Sequence, residues 1–170
     1  MNLSNYKHVH CIGIGGIGLS AVAGSLLSRG YRVSGSDMKQ STVTDQLIEC
    51  GAEIYFEHSA DNLGDTDLVV YSNAVSMENP EIQEAQKRGI PCITRAEALG
   101  AVMNDYKTSV AISGTHGKTT TTSMISLILE EAKLHPTIMV GGILPAFQSN
   151  FKIPRVRRTE LSAIIRSPPF

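Results

Sequence analysis

The sequence predicts an α/β fold: a doubly wound parallel sheet, followed by the start of a second α/β unit. Three observations carry that prediction. Short apolar runs alternate with amphipathic stretches from residue 8 to residue 103. A glycine-rich turn follows the first run, where such a sheet binds ligands. A second glycine turn, of a different kind, follows another apolar run about a hundred residues later.

His8-Val9-His10-Cys11-Ile12 suits a buried strand and runs into Gly13-Ile14-Gly15-Gly16-Ile17-Gly18, a G-x-G-x-x-G turn. Residues 19–29 read as a helix with Leu19, Val22, Leu26 and Leu27 on its apolar face, ended by Gly30. Residues 31–37 form a second strand that finishes in Asp37, 19 positions past Gly18. Together these make a Rossmann-like dinucleotide fingerprint. Gly13, Gly15, Gly16 and Gly18 let the backbone approach a diphosphate, and Asp37 is read as a ribose ligand rather than a turn cap. The pattern alone leaves the nucleotide unidentified.

The alternation continues with a helix over 42–50 ending at Gly51, a short strand over 53–56, and a parallel-strand run over 67–71. Ser72-Asn73-Ala74-Val75 lies at that strand's C-terminal end. Asn79 caps the next helix, Pro80 suits its first position, and Glu81 favours the positive end of its dipole. That helix stops at Gly89. A strand over 90–93 follows, and Thr94 caps a helix over 95–103. Arg95 reads as an exposed helix-start arginine rather than an anion ligand. Residues 104–106 form the boundary, giving domains at 1–104 and 105–150 and a tail at 151–170.

The second unit opens with an apolar run over 108–112, then Ser113-Gly114-Thr115-His116-Gly117-Lys118-Thr119-Thr120-Thr121-Thr122, then a helix. A glycine turn opening a helix aims several N–H groups at one point, which the helix dipole makes attractive to phosphate. Lys118 adds a mobile positive charge, and the Thr119 hydroxyl is a hard oxygen suited to Mg²⁺. Ile112 stands where the strict G-x-x-x-x-G-K-[ST] pattern needs its first glycine, so the P-loop is a shortened one.

Composition bounds the reading. Of 170 residues, 42% are apolar and 18% charged, which describes a globular chain. A net charge of −1 gives no ground for a nucleic acid or an anionic membrane as partner. Cys11, Cys50 and Cys92 lack metal-site spacing and read as small core residues of a reducing compartment. His8, His10, His58 and His135 also lack ligand spacing and read as surface or packed residues. With no signal-like or membrane-length apolar run, a cytoplasmic location is expected.

Two phosphate loops of different kinds in one chain suggest an enzyme that uses ATP to activate a nucleotide-linked substrate. Residues 10–20, Ser34-Gly35-Ser36-Asp37, Tyr71-Ser72-Asn73-Ala74-Val75, Asn79-Pro80-Glu81 and the loop from Ser113 to Thr122 resemble the Mur ligases of bacterial peptidoglycan synthesis. The resemblance covers about residues 6–150. It implies that the first domain binds UDP-N-acetylmuramate, with Ser72 and Asn73 beside the sugar nucleotide, and that the second loop holds ATP and Mg²⁺. The implied chemistry is ATP-dependent amide formation with L-alanine through an acyl phosphate. Gly114, Thr115, His116, Gly117, Lys118, Thr119 and Thr120 would cradle the phosphates, with Lys118 on the β/γ-phosphates and Thr119 at the metal. His116 either faces solvent or sits near the γ-phosphate. A non-catalytic module binding a UDP-sugar or NAD is the alternative.

After Gly141-Gly142-Ile143-Leu144-Pro145 the family continues into an acidic segment that supplies a carboxylate for metal. This chain instead carries a basic stretch with Arg155, Arg157 and Arg158, then Pro168-Pro169. A frameshift or early stop near Asn150 is expected, with a basic interaction tail as the other reading. The second unit is then expected to expose apolar surface, and the chain to bind the UDP-sugar without completing ligation.

Overall fold

A computed structural model describes residues 3–144, 146, 149–152 and the backbone of 161–165. The chain divides into two compact units, Met1–Ala101 and Val102–Phe170.

The first unit is one parallel sheet with helices between its strands. Its elements are β1 (His8–Ile12), α1 (Ile17–Ser28), β2 (Arg32–Ser36), α2 (Thr42–Glu49), β3 (Glu53–Tyr55), β4 (Leu68–Tyr71), α3 (Pro80–Lys87), β5 (Cys92–Thr94) and α4 (Arg95–Asn104). Strand order is β3-β2-β1-β4-β5, and every pairing is parallel. All five residues of β1 are buried, as a central strand covered on both faces requires. Val9 pairs with Val33 on one side and Leu68 on the other. Chain order reverses direction across the sheet between β1 and β4, so the crevice at their C-terminal ends is the switch point for ligands. Ile12, Val69, Ile82, Ala85 and Leu63 close the core behind it, with Tyr71 and Val75 packed against them.

Local chemistry sets the helix ends. α2 starts in a capping box, in which Thr44 N–H donates to Ser41 Oγ at 3.3 Å and Ser41 N–H to Thr44 Oγ1 at 2.8 Å. Asn79 Oδ1 accepts the Glu81 N–H at 2.9 Å, with Pro80 at the first position of α3. Glu97 Oε2 returns to the Thr94 N–H at 2.7 Å at the start of α4. Gly30, Gly51 and Gly89 follow α1, α2 and α3 with φ of +86°, +98° and +70°. Cys50, expected in the core, is the exposed C-cap of α2, because the helix ends before its apolar face turns back inward.

The second unit holds β6 (Thr108–Ile112), α5 (Lys118–Glu131), β7 (Thr137–Leu144), β8 (Ser149–Lys152) and β9 (Leu161–Ile165). Sheet order is β6-β9-β7-β8, with β9 parallel to both neighbours and β8 antiparallel to β7. Two expectations change here. The strand expected over 137–140 extends to Leu144. The segment 161–165, which shows no strand period, pairs Ala163 with both Val110 and Ile138. That pairing comes from partners far away in sequence, which a local pattern does not display. The basic residues Arg155, Arg157 and Arg158 and the pair Pro168-Pro169 lie outside the described residues. Ile138, Val140 and Leu144 form a small core, while Met124, Leu127, Ile128, Leu134 and Ile143 are 48–64% exposed. The apolar surface expected of this unit is therefore present.

Candidate functional site

The first glycine turn is built around β1, β2 and Asp37. Gly13 adopts φ +80°, which turns the chain out of β1. The Gly13 and Ile14 N–H groups donate to Ser36 O at 2.8 and 3.0 Å, tying the turn to the end of β2. Gly15 N–H donates to Asp37 Oδ2 at 2.8 Å, while Asp37 Oδ1 accepts the Lys39 N–H at 3.2 Å. Asp37 thus braces the loop and also lines the adjoining cavity. Gly16 stays extended and its carbonyl takes the Leu19 and Ser20 N–H groups, so α1 begins at Ile17, inside the fingerprint. Gly18 lies in that first turn. A Cβ there would sit 2.8 Å from Arg95 Nη1, so the half-buried Arg95 packs its guanidinium on the N-terminal end of α1. The expectation of an exposed arginine at the start of α4 is corrected: the backbone of Gly18 leaves room for it. Among the described residues Arg95 has no ion-pair partner.

Beside the turn is an open cavity of about 470 Å³ lined by Gly13, Asp37, Met38, His58, Ala74, Val75, Ser76, Glu78 and Asn79. Of the residues predicted from sequence, Gly13 and Asp37 line it. Gly15, Gly16 and Gly18 lie along the turn and α1 instead. Ser72 shapes the crevice from β4: its N–H donates to Ile12 O at 3.2 Å, and its Cβ lies 3.3 Å from where a Gly13 Cβ would be. Asn73 is exposed on the same loop.

Sequence reasoning missed His58 and the group behind it. His58 Nδ1 lies 2.9 Å from Glu81 Oε2 and 3.0 Å from Ser36 Oγ. Glu81 is fully buried. Burial opposes its ionisation, but hydrogen bonds from His10, Ser36 and Asn62 outweigh that and hold it below its usual pKa. The local signal at Glu81 was its helix-start position, which says nothing of these distant partners.

The second glycine turn stands on its own unit. Gly114 and Gly117 take φ +157° and +77°, and Gly117 precedes the first residue of α5. Lys118 folds back so that Nζ donates to the carbonyls of Gly114 and, at 3.0 Å, Thr115. Thr115, His116, Thr119 and Thr120 are exposed, open to a ligand from solvent. Thr122 is buried and its hydroxyl donates to Lys118 O at 3.0 Å, locking the first turn. The described residues contain no cluster of three His, Cys, Asp or Glu suited to a metal. Thr119, with its free-standing hydroxyl at the helix start, fits a Mg²⁺ ion that takes its other ligands from phosphate and water. No described helix is long and apolar enough to cross a membrane.

Residues 8–107 match the Mur ligase family, catalytic domain. The UDP-N-acetylmuramate–L-alanine ligases of Alkaliphilus metalliredigens and Acetivibrio thermocellus are 51% and 53% identical to this chain over 90% and 88% of its length. The chain spans about a third of each relative, 33% and 32%. The UDP-N-acetylmuramate-alanine ligase structure from Thermotoga maritima aligns with a TM-score of 0.83 at 35% identity, covering 94% of this chain and 36% of that one. The Neisseria meningitides UDP-N-acetylmuramate:L-alanyl-gamma-D-glutamyl-meso-diaminopimelate ligase reaches the same TM-score at 29% identity, covering 94% and 52%. A match across more than half of the chain, on the very strands that carry the first glycine turn, makes this chain a member of the Mur ligase family.

Proposed function

We propose that this chain carries the UDP-N-acetylmuramate site and the ATP phosphate loop of a ligase that joins L-alanine to that sugar nucleotide. The observation that carries the reading is the pairing of two unlike phosphate turns, each at the C-terminal end of a parallel strand and each opening a helix. The family and the named activities of the relatives support the same substrates. The non-catalytic NAD-binding alternative gains no support from them.

At the first turn, the diphosphate would lie against Gly13, Gly15, Gly16 and Gly18, with Arg95 supplying the counter-charge at the start of α1. Asp37, Ser72 and Asn73 would face the ribose and sugar side of the crevice. At the second turn, Gly114 to Thr120 would wrap the phosphate chain of ATP. Lys118 would exchange its loop carbonyls for β/γ-phosphate oxygens, and Thr119 would offer its hydroxyl to Mg²⁺, which neutralises phosphate charge when bound. His116 would stand near the γ-phosphate. Transfer of that phosphate to the muramate carboxylate would give an acyl phosphate, and the L-alanine amine would attack its acyl carbon, forming the amide as inorganic phosphate leaves. Such transfer depends on alignment and charge neutralisation. Because the chain spans a third of its relatives, ligation is assigned to the whole ligase, and sugar-nucleotide binding to this chain. A cytoplasmic location fits soluble substrates of this kind.

Calorimetric titration tests the reading. UDP-N-acetylmuramate is expected to bind the purified chain and NADH is not. NADH binding without sugar-nucleotide binding would overturn it.

A further inference from the structure

Beneath the nucleotide crevice runs a line of polar side chains that the proposed contacts do not use. It starts at the N-terminal edge of the sheet, where His8 Nδ1 lies 2.8 Å from Asp65 Oδ1. His8 Nε2 and His10 Nδ1 both meet Ser34 Oγ at 2.8 Å. His10 Nε2 reaches Glu81 Oε1 at 3.3 Å. Glu81 also receives Asn62 Nδ2 at 2.8 Å and Ser36 Oγ at 2.6 Å, and faces His58 Nδ1 at 2.9 Å. His10, Ser34, Ser36 and Glu81 are buried, whereas the His58 side chain is 22% exposed and lines the cavity.

Each of these contacts needs one proton. An ionised Glu81, the form its hydrogen bonds favour, accepts from all four of its neighbours. In the neutral ring, His58 therefore carries its proton on Nδ1, and Nε2, with no partner among the described residues, is left as an acceptor.

We propose that Glu81 is a positioning residue for nucleotide recognition: through His58 it presents a fixed acceptor, Nε2, to an N–H or O–H donor of the nucleoside. The inference rests on the proposed function, since it needs a nucleotide in this crevice. His10 and Asn62 hold Glu81 from beneath, and Ser36 holds it from the end of β2. The ring of His58 is thereby kept from rotating or taking the other tautomer.

The test uses the full chain with ¹⁵N-labelled histidine, titrated with UDP. Before UDP is added, His58 is expected to show a proton on Nδ1 and a bare Nε2. At saturation the Nε2 signal moves upfield while Nδ1 stays in place. An Nε2-protonated tautomer, or an Nε2 signal unmoved at saturation, overturns the inference. Glu81→Gln is expected to scramble the tautomer and weaken UDP binding about tenfold, the effect of one charge-oriented hydrogen bond. Asn62→Ala, which removes a donor to Glu81 without touching His58, keeps the tautomer and holds affinity within about twofold. An equal loss in both variants would mean a purely structural role and overturn the proposal. A UDP analogue methylated at the base imide separates the two donor sources: a lost shift assigns the imide N–H, a retained one a ribose hydroxyl. If the unaltered chain fails to bind UDP, the proposed function falls and takes the inference with it. If UDP binds and His58 is silent, the inference alone falls.

Discussion

Gly15 and Asp37 are joined by a 2.8 Å hydrogen bond from the loop N–H to Oδ2, and a Cβ at position 15 would lie 2.8 Å from that same oxygen. The bond and the missing side chain depend on each other. A carboxylate this close to the loop leaves no room for a methyl, and Thr44 Cγ2 would stand 3.1 Å from it on the α2 side. Gly15→Ala is therefore expected to displace Asp37, lose the brace, and cost about 1–3 kcal/mol, the range for overpacking. Urea unfolding at neutral pH measures the loss, and UDP-N-acetylmuramate affinity should fall with it. A variant of unchanged stability would mean that the loop has slack that this geometry denies.

Two other glycines should respond with opposite signs. Gly35 lies in β2, where an added Cβ would stand 2.6 Å from Cys11 O and 2.7 Å from Ile14 Cδ1. Backbone cannot yield as a side-chain tip can, so Gly35→Ala should be more damaging than Gly15→Ala. Gly100 sits on the exposed side of α4 with open space around its Cβ position. Gly100→Ala should raise stability by about 0.5–1 kcal/mol through helix propensity. Paired denaturation curves decide it, and a destabilised Gly100→Ala would count against the placement of α4.

The features legible in the sequence are those set by neighbours along the chain. Gly30, Gly51 and Gly89 end helices because a left-handed residue follows the last turn, and the Asn79-Pro80-Glu81 start needs only three adjacent residues. The ends of β1 and β6 followed from apolar runs that lead into glycine, and so did the two glycine turns. The features that were not legible join distant residues. His10 meets Glu81 across 71 positions, and Arg95 covers Gly18 across a similar span. No periodicity encodes such a meeting, since each residue locally fits a blander role: Glu81 as a helix-start acid, Arg95 as a solvated base. The strand at 161–165 was hidden for the same reason, with both of its ladders formed by segments far back in the chain.

At the second turn, Lys118 is held by its own loop, with Nζ on the Gly114 and Thr115 carbonyls. A phosphate chain would offer the ammonium charged oxygens in place of neutral ones, and such bonds are roughly twice as strong. Lys118→Ala is expected to lower affinity for a fluorescent Mg-ATP analogue more than tenfold, the effect of losing one charged hydrogen bond. UDP-N-acetylmuramate affinity, proposed for the first unit, should stay the same. Equal ATP-analogue binding by both proteins would remove Lys118 from the phosphate site.

Acid should release the first unit through Glu81. Its desolvation favours the neutral acid, yet the bonds from His10, Ser36 and Asn62 win, so its pKa is lower in the folded chain than in the unfolded one. The unfolded state then binds the proton more readily, and stability falls as pH drops. The contribution is complete above the unfolded glutamate value of about 4.3 and disappears as pH falls through the lower folded value. Glu81→Gln removes this dependence. At pH 7 the variant is expected to lie on the order of 2–3 kcal/mol below the parent, the range for a buried hydrogen bond to a charged group. In the acid window the two should converge, because the parent's Glu81 is then neutral as well. Urea midpoints at neutral and at acid pH measure the gap. If it stays equal in both, the buried carboxylate is not the group that titrates.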